Sequence, residues 1–513
     1  MGRVIYMSGS DQYDYVIVGA GSAGCVLASR LSEDEETSVL LLEAGDPDAR
    51  KEIHIPLLWW GLPGSDVDWG YTTTPQPSLN WRVDPWPRGR TLGGSSAINA
   101  MMYIRGNRWD YDHWERLGND GWSYDELLPS FKRSERFEDG ESEFHGADGP
   151  LAIARADSPI GASRALVEAA QEVGFDYNGD FNGERQEGVG PLHLTAAEGQ
   201  RQSTAVAYLH PVLARNNLTA ETGAQVTHVS FDGDRAIGVE YEQDGSSRTV
   251  TASAEIIISA GAVESPKLLM LSGIGPAEQL AAHGIDCAVD LPGVGRNLQD
   301  HIQAGIGYEC TDAVSYPKES NGIENTAFER TSSDLPAPDL QYILWPTDAA
   351  LNNPHRQSHL MITAVVLRPY SRGYITLRSA NPFDDPIINP RYFSDSRDLR
   401  TLVTGISRAR EIFLASALDQ YRGGALTSPE AFETEDEMAE YIRQRASTIY
   451  HPVGTCKMGT EALAVVDDRL RVHGVKGLRV VDASIMPQIT SGNTNAPTMA
   501  IAERAADFIR EDT

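Results

Sequence analysis

A glycine-rich turn near the N-terminus constrains the fold more than any other feature of this 513-residue chain. The apolar run 14–18 leads into Gly19-Ala20-Gly21-Ser22-Ala23-Gly24, then into helix-like residues to 31 and a second apolar run at 39–42. This order predicts a strand, a helix and a parallel strand around a GxGxxG turn. The first glycine permits the turn, the second lets the backbone approach a pyrophosphate, and the third allows close helix packing. We therefore predict an α/β fold with a Rossmann-like, doubly wound domain, and assign Gly19, Gly21, Ser22, Ala23 and Gly24 to dinucleotide binding.

Glu43 supports a dinucleotide site, because it lies at the end of the second predicted strand, nineteen residues beyond Gly24. A carboxylate at this position accepts hydrogen bonds from ribose hydroxyls and repels a 2′-phosphate, which argues against NADP. The motif alone is compatible with both FAD and NAD.

The remaining sequence predicts two domains. Segment 226–241 alternates like a hairpin, 249–258 leads back into the sheet, and 265–271 has a helical pattern. Irregular, proline-rich and acidic stretches then surround three strand-like segments at 340–344, 360–367 and 374–377. The chain ends in a predicted strand at 478–482 and a predicted helix at 497–510. We predict a mainly cofactor-binding domain at 11–307 with substrate-facing insertions, a mainly substrate-binding domain at 308–446, and a return to the first domain at 447–513.

The charge balance bears on partners and habitat. Asp and Glu number 73 against 43 Lys and Arg, and only six of the basic residues are Lys. A surface with a net charge of −30 repels a polyanion, so nucleic acid is not an expected partner. Carboxylates in excess, with few ammonium groups, suit a protein that stays hydrated in concentrated salt. We interpret the composition as halophilic; the alternative is an ordinary acidic protein from a GC-rich genome.

Cysteine usage and hydropathy indicate the compartment. The four cysteines are widely separated and form neither a disulfide framework nor a CxxC metal site, and the histidines lack a metal-ligand pattern. The first twelve residues have no apolar core typical of a signal peptide, and no run of 18 apolar residues occurs. We expect a cytoplasmic protein with no metal and no membrane span; peripheral attachment stays open, and no oligomeric state is predicted.

Two long segments, 88–102 (RGRTLGGSSAINAMM) and 261–275 (GAVESPKLLMLSGIG), resemble the two signatures of the glucose-methanol-choline oxidoreductases. Segments 293–301, 451–459 and 480–498 are also similar to that family, so the resemblance runs nearly from end to end. It implies an FAD-binding domain joined to a substrate-binding domain that contains an antiparallel sheet.

The resemblance also implies which residues contact the cofactor. It assigns flavin contacts to Gly94, Asn99 and Met102, an adenine-side contact to Val226, and a ribityl hydroxyl to Asp482, which is otherwise a strand-end turn residue.

Two further expectations concern the flavin ring. Pro497 and Thr498 open the last predicted helix, whose positive end would stabilise anionic reduced flavin. Some family members attach FAD covalently through a histidine at the position of Ile98, so we predict non-covalent FAD.

The predicted catalytic residues are His451 and Asn495. A neutral imidazole can take a hydroxyl proton near physiological pH, and Pro452 biases His451 toward an extended backbone. A given histidine is more often structural, but HPVGTCKMG resembles the active-site segment of the family. In the family interpretation Asn495 hydrogen-bonds the substrate oxygen beside His451; alternatively, Asn495 or Ala496 caps the helix that begins near Pro497.

Together these features predict an oxidoreductase that converts a small primary alcohol to an aldehyde by hydride transfer to FAD, with His451 as general base. Molecular oxygen or an acceptor such as a quinone would reoxidise the flavin. Choline is an alternative substrate, because segments 450–459 and 480–490 look close to choline dehydrogenases, and aromatic side chains that could hold its ammonium group are available: Trp59, Trp60, Trp69, Trp345 and Tyr450. The sequence is also compatible with a non-redox lyase on the same fold and, less well, with a nicotinamide-dependent dehydrogenase.

Overall fold

The computed structural model describes residues 12–156, 160–347, 358–426, 432 and 434–512. Residues 1–11, most of the segment expected to lack a signal peptide, lie outside these ranges. The predicted domain boundaries at 11 and 513 also lie outside them. Within them, no helix combines the length and the apolar character needed to cross a bilayer.

The α-helices are described here in chain order. They are α1 Ser22–Leu31, α2 Lys51–His54, α3 Arg108–Arg116, α4 Tyr124–Ser134, α5 Gly161–Glu172, α6 Gly261–Leu271, α7 Ala277–Ala282, α8 Ser396–Phe413, α9 Glu435–Arg445 and α10 Asn495–Glu511. Short 3-10 turns and one π turn connect several of them: Pro56–Gly61, Pro77–Leu79, Gly94–Ala97, Ala205–Leu209 (π), His210–Val212, Ser416–Leu418 and Ala483–Ile485.

The strands are numbered in the same way. They are β1 Gln12–Val18, β2 Val39–Leu42, β3 Tyr71–Thr72, β4 Pro85–Trp86, β5 Met102–Tyr103, β6 Glu135–Phe137, β7 Leu151–Arg155, β8 Gly188–Pro191, β9 His193–Leu194, β10 Ala196–Ala197, β11 Gln200–Arg201, β12 Leu218–Glu221, β13 Gln225–Asp232, β14 Arg235–Gln243, β15 Ser246–Ile258, β16 Ile274–Gly275, β17 Val289–Asp290, β18 Ile302–Cys310, β19 Asn325–Glu329, β20 Leu340–Thr347, β21 His359–Val366, β22 Tyr374–Thr376, β23 Ile387–Asn389, β24 Arg422–Ala425, β25 Ser447–Thr448 and β26 Leu478–Val480.

The first large sheet carries the glycine turn. Its order is β12-β2-β1-β15-β14-β13, with β26 also paired to β15. Strands β12, β2, β1, β15 and β26 are parallel, whereas β13, β14 and β15 form an antiparallel meander. The β1-α1-β2 unit confirms the predicted α/β fold. Strand β2 and residues 16–18 of β1 are apolar and buried because both faces of a parallel sheet are covered. Helix α10 packs against α1 and α4, so the end of the chain lies beside its beginning.

The second large sheet is antiparallel, as the family resemblance implied. Its order is β24-β18-β21-β20-β19-β8, with β25 paired to β18. Helices α5 and α8 pack on one face and bury an apolar core. Strand β8 and helix α5 come from the first half of the chain, and β18 already begins at Ile302, so this sheet draws on residues before 308.

Candidate active site

A cavity of about 560 Å³ opens at the carboxyl ends of the parallel strands, between the two large sheets. This is the edge at which open α/β sheets place their ligands. Most of the site residues predicted from the sequence line it: Gly19, Gly21, Ser22, Ala23, Glu43, Gly94, Asn99, Met102, Val226, His451, Asp482, Asn495 and Thr498. Two of them, Gly24 and Pro497, are buried behind the lining instead.

The glycine turn has the conformation that the motif predicts. Gly19 adopts φ +98°, and a Cβ on it would lie 2.7 Å from the carbonyl oxygen of Ser259. A Cβ on Gly24 would lie 1.9 Å from the carbonyl oxygen of Gly19, so the third glycine is required by helix packing and not by a ligand. Any larger residue at either position would push α1 away from the sheet.

A second glycine packs directly against this turn. A Cβ on Gly94, which adopts φ +51°, would lie only 2.7 Å from the Cα of Gly21. Helix α1 starts after Gly21 without a capping side chain, so its first N–H groups are left for an acceptor outside the helix. An anion such as a pyrophosphate is the natural acceptor at such a helix start.

Glu43 stands at the mouth of the turn, at the end of β2. One carboxylate oxygen accepts a hydrogen bond from the N–H of Ala20 (2.8 Å) and the other from that of Gly45 (2.9 Å). Burial raises the pKa of this carboxyl to about 7. Each oxygen keeps a lone pair for a further donor, which fits the predicted contact with ribose hydroxyls.

Asp482 lies on the opposite side of the cavity, just after β26. Its carboxylate accepts hydrogen bonds from the N–H of Gly261 (2.8 Å), the hydroxyl of Ser265 (2.5 Å) and the N–H of Ser484 (2.7 Å). Burial raises its pKa above the ordinary value of 3.8. Asp482 therefore does cap the turn after the strand, while it also lines the cavity.

Helix α10 begins earlier than the sequence indicates, and this corrects the predicted cap. The helix starts at Asn495, Thr494 occupies the N-cap position, and Pro497 lies within the first turn. Neither Asn495 nor Ala496 caps the helix, because the Asn495 Oδ1 accepts a hydrogen bond from the Ser22 hydroxyl instead (2.7 Å). Asn495 thus ties the start of α10 to the start of α1, and both helix N-termini face the cavity.

His451 is 9% exposed and is held through its backbone. Its N–H donates to the Asp300 carboxylate (2.8 Å), whose other oxygen accepts from the Tyr392 hydroxyl. The preceding Tyr450 adopts φ +69°, a left-handed conformation that is costly for a side chain of this size. Such local strain, compensated by a buried carboxylate, is typical of a position fixed for function.

His301 sets the tautomer of His451. Its Nε2 lies 3.0 Å from the carbonyl oxygen of Leu367, which can only accept, so that nitrogen carries the proton. Burial lowers the pKa of His301 to about 3, and its Nδ1 is therefore unprotonated. The Nδ1 of His451 lies 2.9 Å away and must donate to it. The Nε2 of His451 is therefore unprotonated, and its lone pair can accept a hydrogen bond.

Asn493 is the residue at that lone pair, and the sequence analysis missed it. Its Nδ2 lies 3.2 Å from the Nε2 of His451, and its buried Oδ1 has no hydrogen-bond partner within the described part of the chain. Asn495, the predicted partner of His451, has its side chain on Ser22. Nothing in the segment GNTNAP distinguishes the two asparagines; only the point at which the helix begins separates them.

The loop that carries Asn493 is anchored by α3. Asp110 accepts hydrogen bonds from the N–H (2.6 Å) and the hydroxyl (2.8 Å) of Ser491, and it also closes a capping box with Asn107. The carbonyl oxygen of Ser491 accepts from the side chain of Gln186. These contacts fix the backbone two residues before Asn493, so that its amide meets the imidazole.

The electrostatics keep His451 neutral. Burial lowers its pKa well below 6.5, and the neighbouring His301 and the Arg88 guanidinium lower it further. A neutral imidazole with a free Nε2, facing an amide donor in a partly apolar cavity, can take a proton from a hydroxyl group while the amide holds the oxygen.

The chain is similar to known proteins over nearly its whole described length. The two parts of a GMC oxidoreductase model match residues 13–303 and 369–502. A mitochondrial choline dehydrogenase of Mus musculus is 42% identical, over 99% of this chain and 91% of its own. An alcohol dehydrogenase [acceptor] of Pseudomonas putida is 44% identical, over 97% of this chain and 95% of its own. The crystal structure of a pyridoxine 4-oxidase from Mesorbium loti superposes with a TM-score of 0.91 at 36% identity, covering 96% of this chain and 98% of that one.

Proposed function

This chain belongs to the GMC oxidoreductase family, and on that premise we propose that it oxidises the CH–OH group of a small primary alcohol to an aldehyde with non-covalent FAD. The observation that carries the proposal is the pairing of His451 with Asn493 in a cavity that also contains the glycine turn.

The residues present fit FAD. The turn from Gly19 to Gly24 and the open start of α1 would hold the pyrophosphate, and Glu43 the adenosine ribose. Gly94 lines the cavity and packs directly against Gly21, and we assign it to the flavin ring. We assign the remaining contacts as follows: Asn99 and Met102 to the flavin ring, Val226 to the adenine side, Asp482 to the ribityl chain, and the first turn of α10 with Pro497 and Thr498 to the charge of the reduced ring.

His451 and Asn493 divide the work on the substrate. The Nε2 of His451 takes the hydroxyl proton, and His301 keeps that nitrogen unprotonated beforehand. Asn493 donates its amide N–H to the substrate oxygen, which stabilises its developing negative charge. Bound flavin would supply the acceptor for the hydride. The hydride departs from the substrate carbon and carries both electrons of the C–H bond with it. The products are an aldehyde, a protonated His451 and reduced cofactor.

Anaerobic bleaching of the flavin absorbance tests this function directly. A panel of benzyl alcohol, short aliphatic alcohols and choline is added to the purified holoenzyme in high salt, and at least one alcohol is expected to bleach the band. Admitting air, or a quinone, to the reduced enzyme then identifies which of them reoxidises it. A flavin that no alcohol bleaches would contradict the proposal and favour a non-redox lyase.

The pH dependence of flavin reduction follows from the lowered pKa of His451. The base acts only when unprotonated, and a pKa well below 6.5 keeps it so at neutral pH. The rate constant at low alcohol concentration is therefore expected to stay level from about pH 9 down to about pH 6.5 and to fall only in more acid solution. Stopped-flow reduction across this range measures it, with the oxidised flavin spectrum as a check on integrity. A fall with its midpoint at or above 6.5 would contradict the neutral, desolvated base.

Non-covalent attachment is tested by acid precipitation of the holoenzyme. Ile98 lines the cavity, is 6% exposed and has no atom that could bond to the ring. The yellow cofactor is expected in the supernatant and a white pellet below it. A yellow pellet would mean that another side chain tethers the flavin.

A further inference from the structure

We infer that the substrate is an uncharged alcohol with a flat apolar body, and that the site discriminates against quaternary ammonium alcohols such as choline. This inference rests on the proposed function and narrows its substrate class. It goes against the activity named for the choline dehydrogenase relative, and it depends on how aromatic and charged residues are arranged around the cavity.

Three tryptophans of the cavity form a stacked wall. The ring centroids of Trp59 and Trp60 are 3.9 Å apart at an interplanar angle of 29°, and those of Trp60 and Trp345 are 5.2 Å apart at 21°. An aromatic cage for an ammonium group turns several ring faces toward one point. Rings that stack on one another cover those faces against each other, so fewer ring faces are left for a cation. A stacked aromatic wall packs favourably against a planar apolar group.

The wall continues toward the catalytic pair through apolar side chains. The tryptophans pack in one apolar cluster with Ile323, Ile343, Ile449 and Met102. The Sδ of Met102 lies 3.9 Å from the Nδ2 of Asn493, so the cluster reaches the place where the reacting oxygen would be held. The body of an alcohol bound there would lie against carbon and sulfur atoms, which favours an uncharged group.

The carboxylates that line the cavity already have hydrogen-bond or ion-pair partners outside the apolar cluster. Among the described residues that line the cavity, these are Glu43, Glu264 and Asp482. Glu43 and Asp482 bind backbone N–H groups at the cofactor side, as described above. Glu264 accepts a hydrogen bond from the Tyr71 hydroxyl (2.6 Å) and pairs with Lys267 (3.2 Å). No carboxylate therefore belongs to the apolar cluster, and a buried ammonium group would have no counter-ion there.

A fixed cation adds to this effect. Arg88 lines the cavity, and its guanidinium donates to the carbonyl oxygen of Tyr450 (2.6 Å), next to His451. The Asp300 carboxylate behind His451 offsets part of this charge but does not line the cavity, so Arg88 is the charged group that disfavours a cationic substrate at this end. Gln303 also lines the cavity, and its amide donates to the carbonyl oxygen of Thr448 (3.2 Å). Gln303 is neutral, and a glutamate of nearly the same shape at this position would place a carboxylate in the cavity lining.

A pair of isosteric substrates tests the inference. Choline and 3,3-dimethylbutan-1-ol have the same shape. They differ only in that the positively charged quaternary nitrogen of choline is a neutral carbon in 3,3-dimethylbutan-1-ol. The second-order rate constant of anaerobic flavin reduction in the holoenzyme is expected to be at least about tenfold larger for 3,3-dimethylbutan-1-ol, with benzyl alcohol faster than both. Equal or faster reduction by choline would overturn the inference but leave the proposed function intact. A flavin bleached by none of the three would overturn both.

The variant Gln303→Glu provides a second measurement, with Gln303→Met as the uncharged control. The carboxylate is expected to shift the ratio of the two rate constants toward choline by at least about threefold, whereas the control leaves the ratio unchanged. A ratio that is the same in both variants would contradict an electrostatic origin. If Gln303→Glu fails to retain flavin, the comparison in the unchanged enzyme decides alone.

Discussion

Replacing His451 with alanine is expected to slow the reduction of bound flavin by the alcohol about 10³-fold, while the flavin stays bound. The unprotonated Nε2 of His451 is the base of the catalytic pair, because Asn493 can offer only an amide and both ring nitrogens of His301 are engaged, with His451 and with Leu367. Without it, the hydroxyl proton must leave to water with no positioned base to accept it. The glycine turn, Glu43 and Asp482 lie at the cofactor side and keep their contacts.

Anaerobic stopped-flow reduction measures this effect, and the visible spectrum of the purified variant reports the flavin content. His283→Ala is the control, because His283 lies at the C-terminus of α7 and does not line the cavity. Added imidazole is expected to restore part of the rate of His451→Ala, which a purely structural loss would not allow. Reduction at a near-normal rate would remove His451 as the base.

Local sequence patterns predicted the glycine turn and the elements on either side of it. The glycine turn and the apolar runs beside it depend on backbone geometry within a short stretch of sequence. Helix α1 and strand β2 therefore have the bounds that the pattern predicts. The contacts of Gly19 and Gly24 follow from the same local rule. The second sheet was less accessible, because β8 joins strands that lie more than a hundred residues further along the chain.

The catalytic half depends on contacts that a linear pattern does not contain. His301 and His451 are 150 residues apart, and only the folded chain brings their Nδ1 atoms to 2.9 Å. Trp345 of β20 likewise reaches Trp59 and Trp60 of the turn Pro56–Gly61, far earlier in the chain. The choice between Asn493 and Asn495 is settled by where α10 starts, and element boundaries are the least certain part of any sequence-based prediction.

The two asparagines offer a matched pair of variants for the second large effect. Asn493→Ala is expected to slow flavin reduction about 10²-fold, the cost typical of one lost donor to a developing oxyanion. Asn495→Ala removes the hydrogen bond to Ser22 at the start of α10, and it is expected to weaken flavin retention while the reduction rate changes less than about tenfold. A larger loss of rate in Asn495→Ala than in Asn493→Ala would restore the role predicted from the sequence.

An isosteric change at the same position separates the donor from mere packing. In Asn493→Asp a carboxylate would face the Nε2 of His451, and a negative charge there favours the protonated imidazole. The pKa of His451 is then raised, so the acid limb of the reduction profile is expected to move to higher pH, opposite in sign to the effect of burial in the unchanged enzyme. Asn495→Asp, whose side chain lies on Ser22, is expected to leave that limb in place. If both aspartate variants shifted the acid limb by the same amount, the assignment of Asn493 alone as the asparagine beside His451 would be wrong.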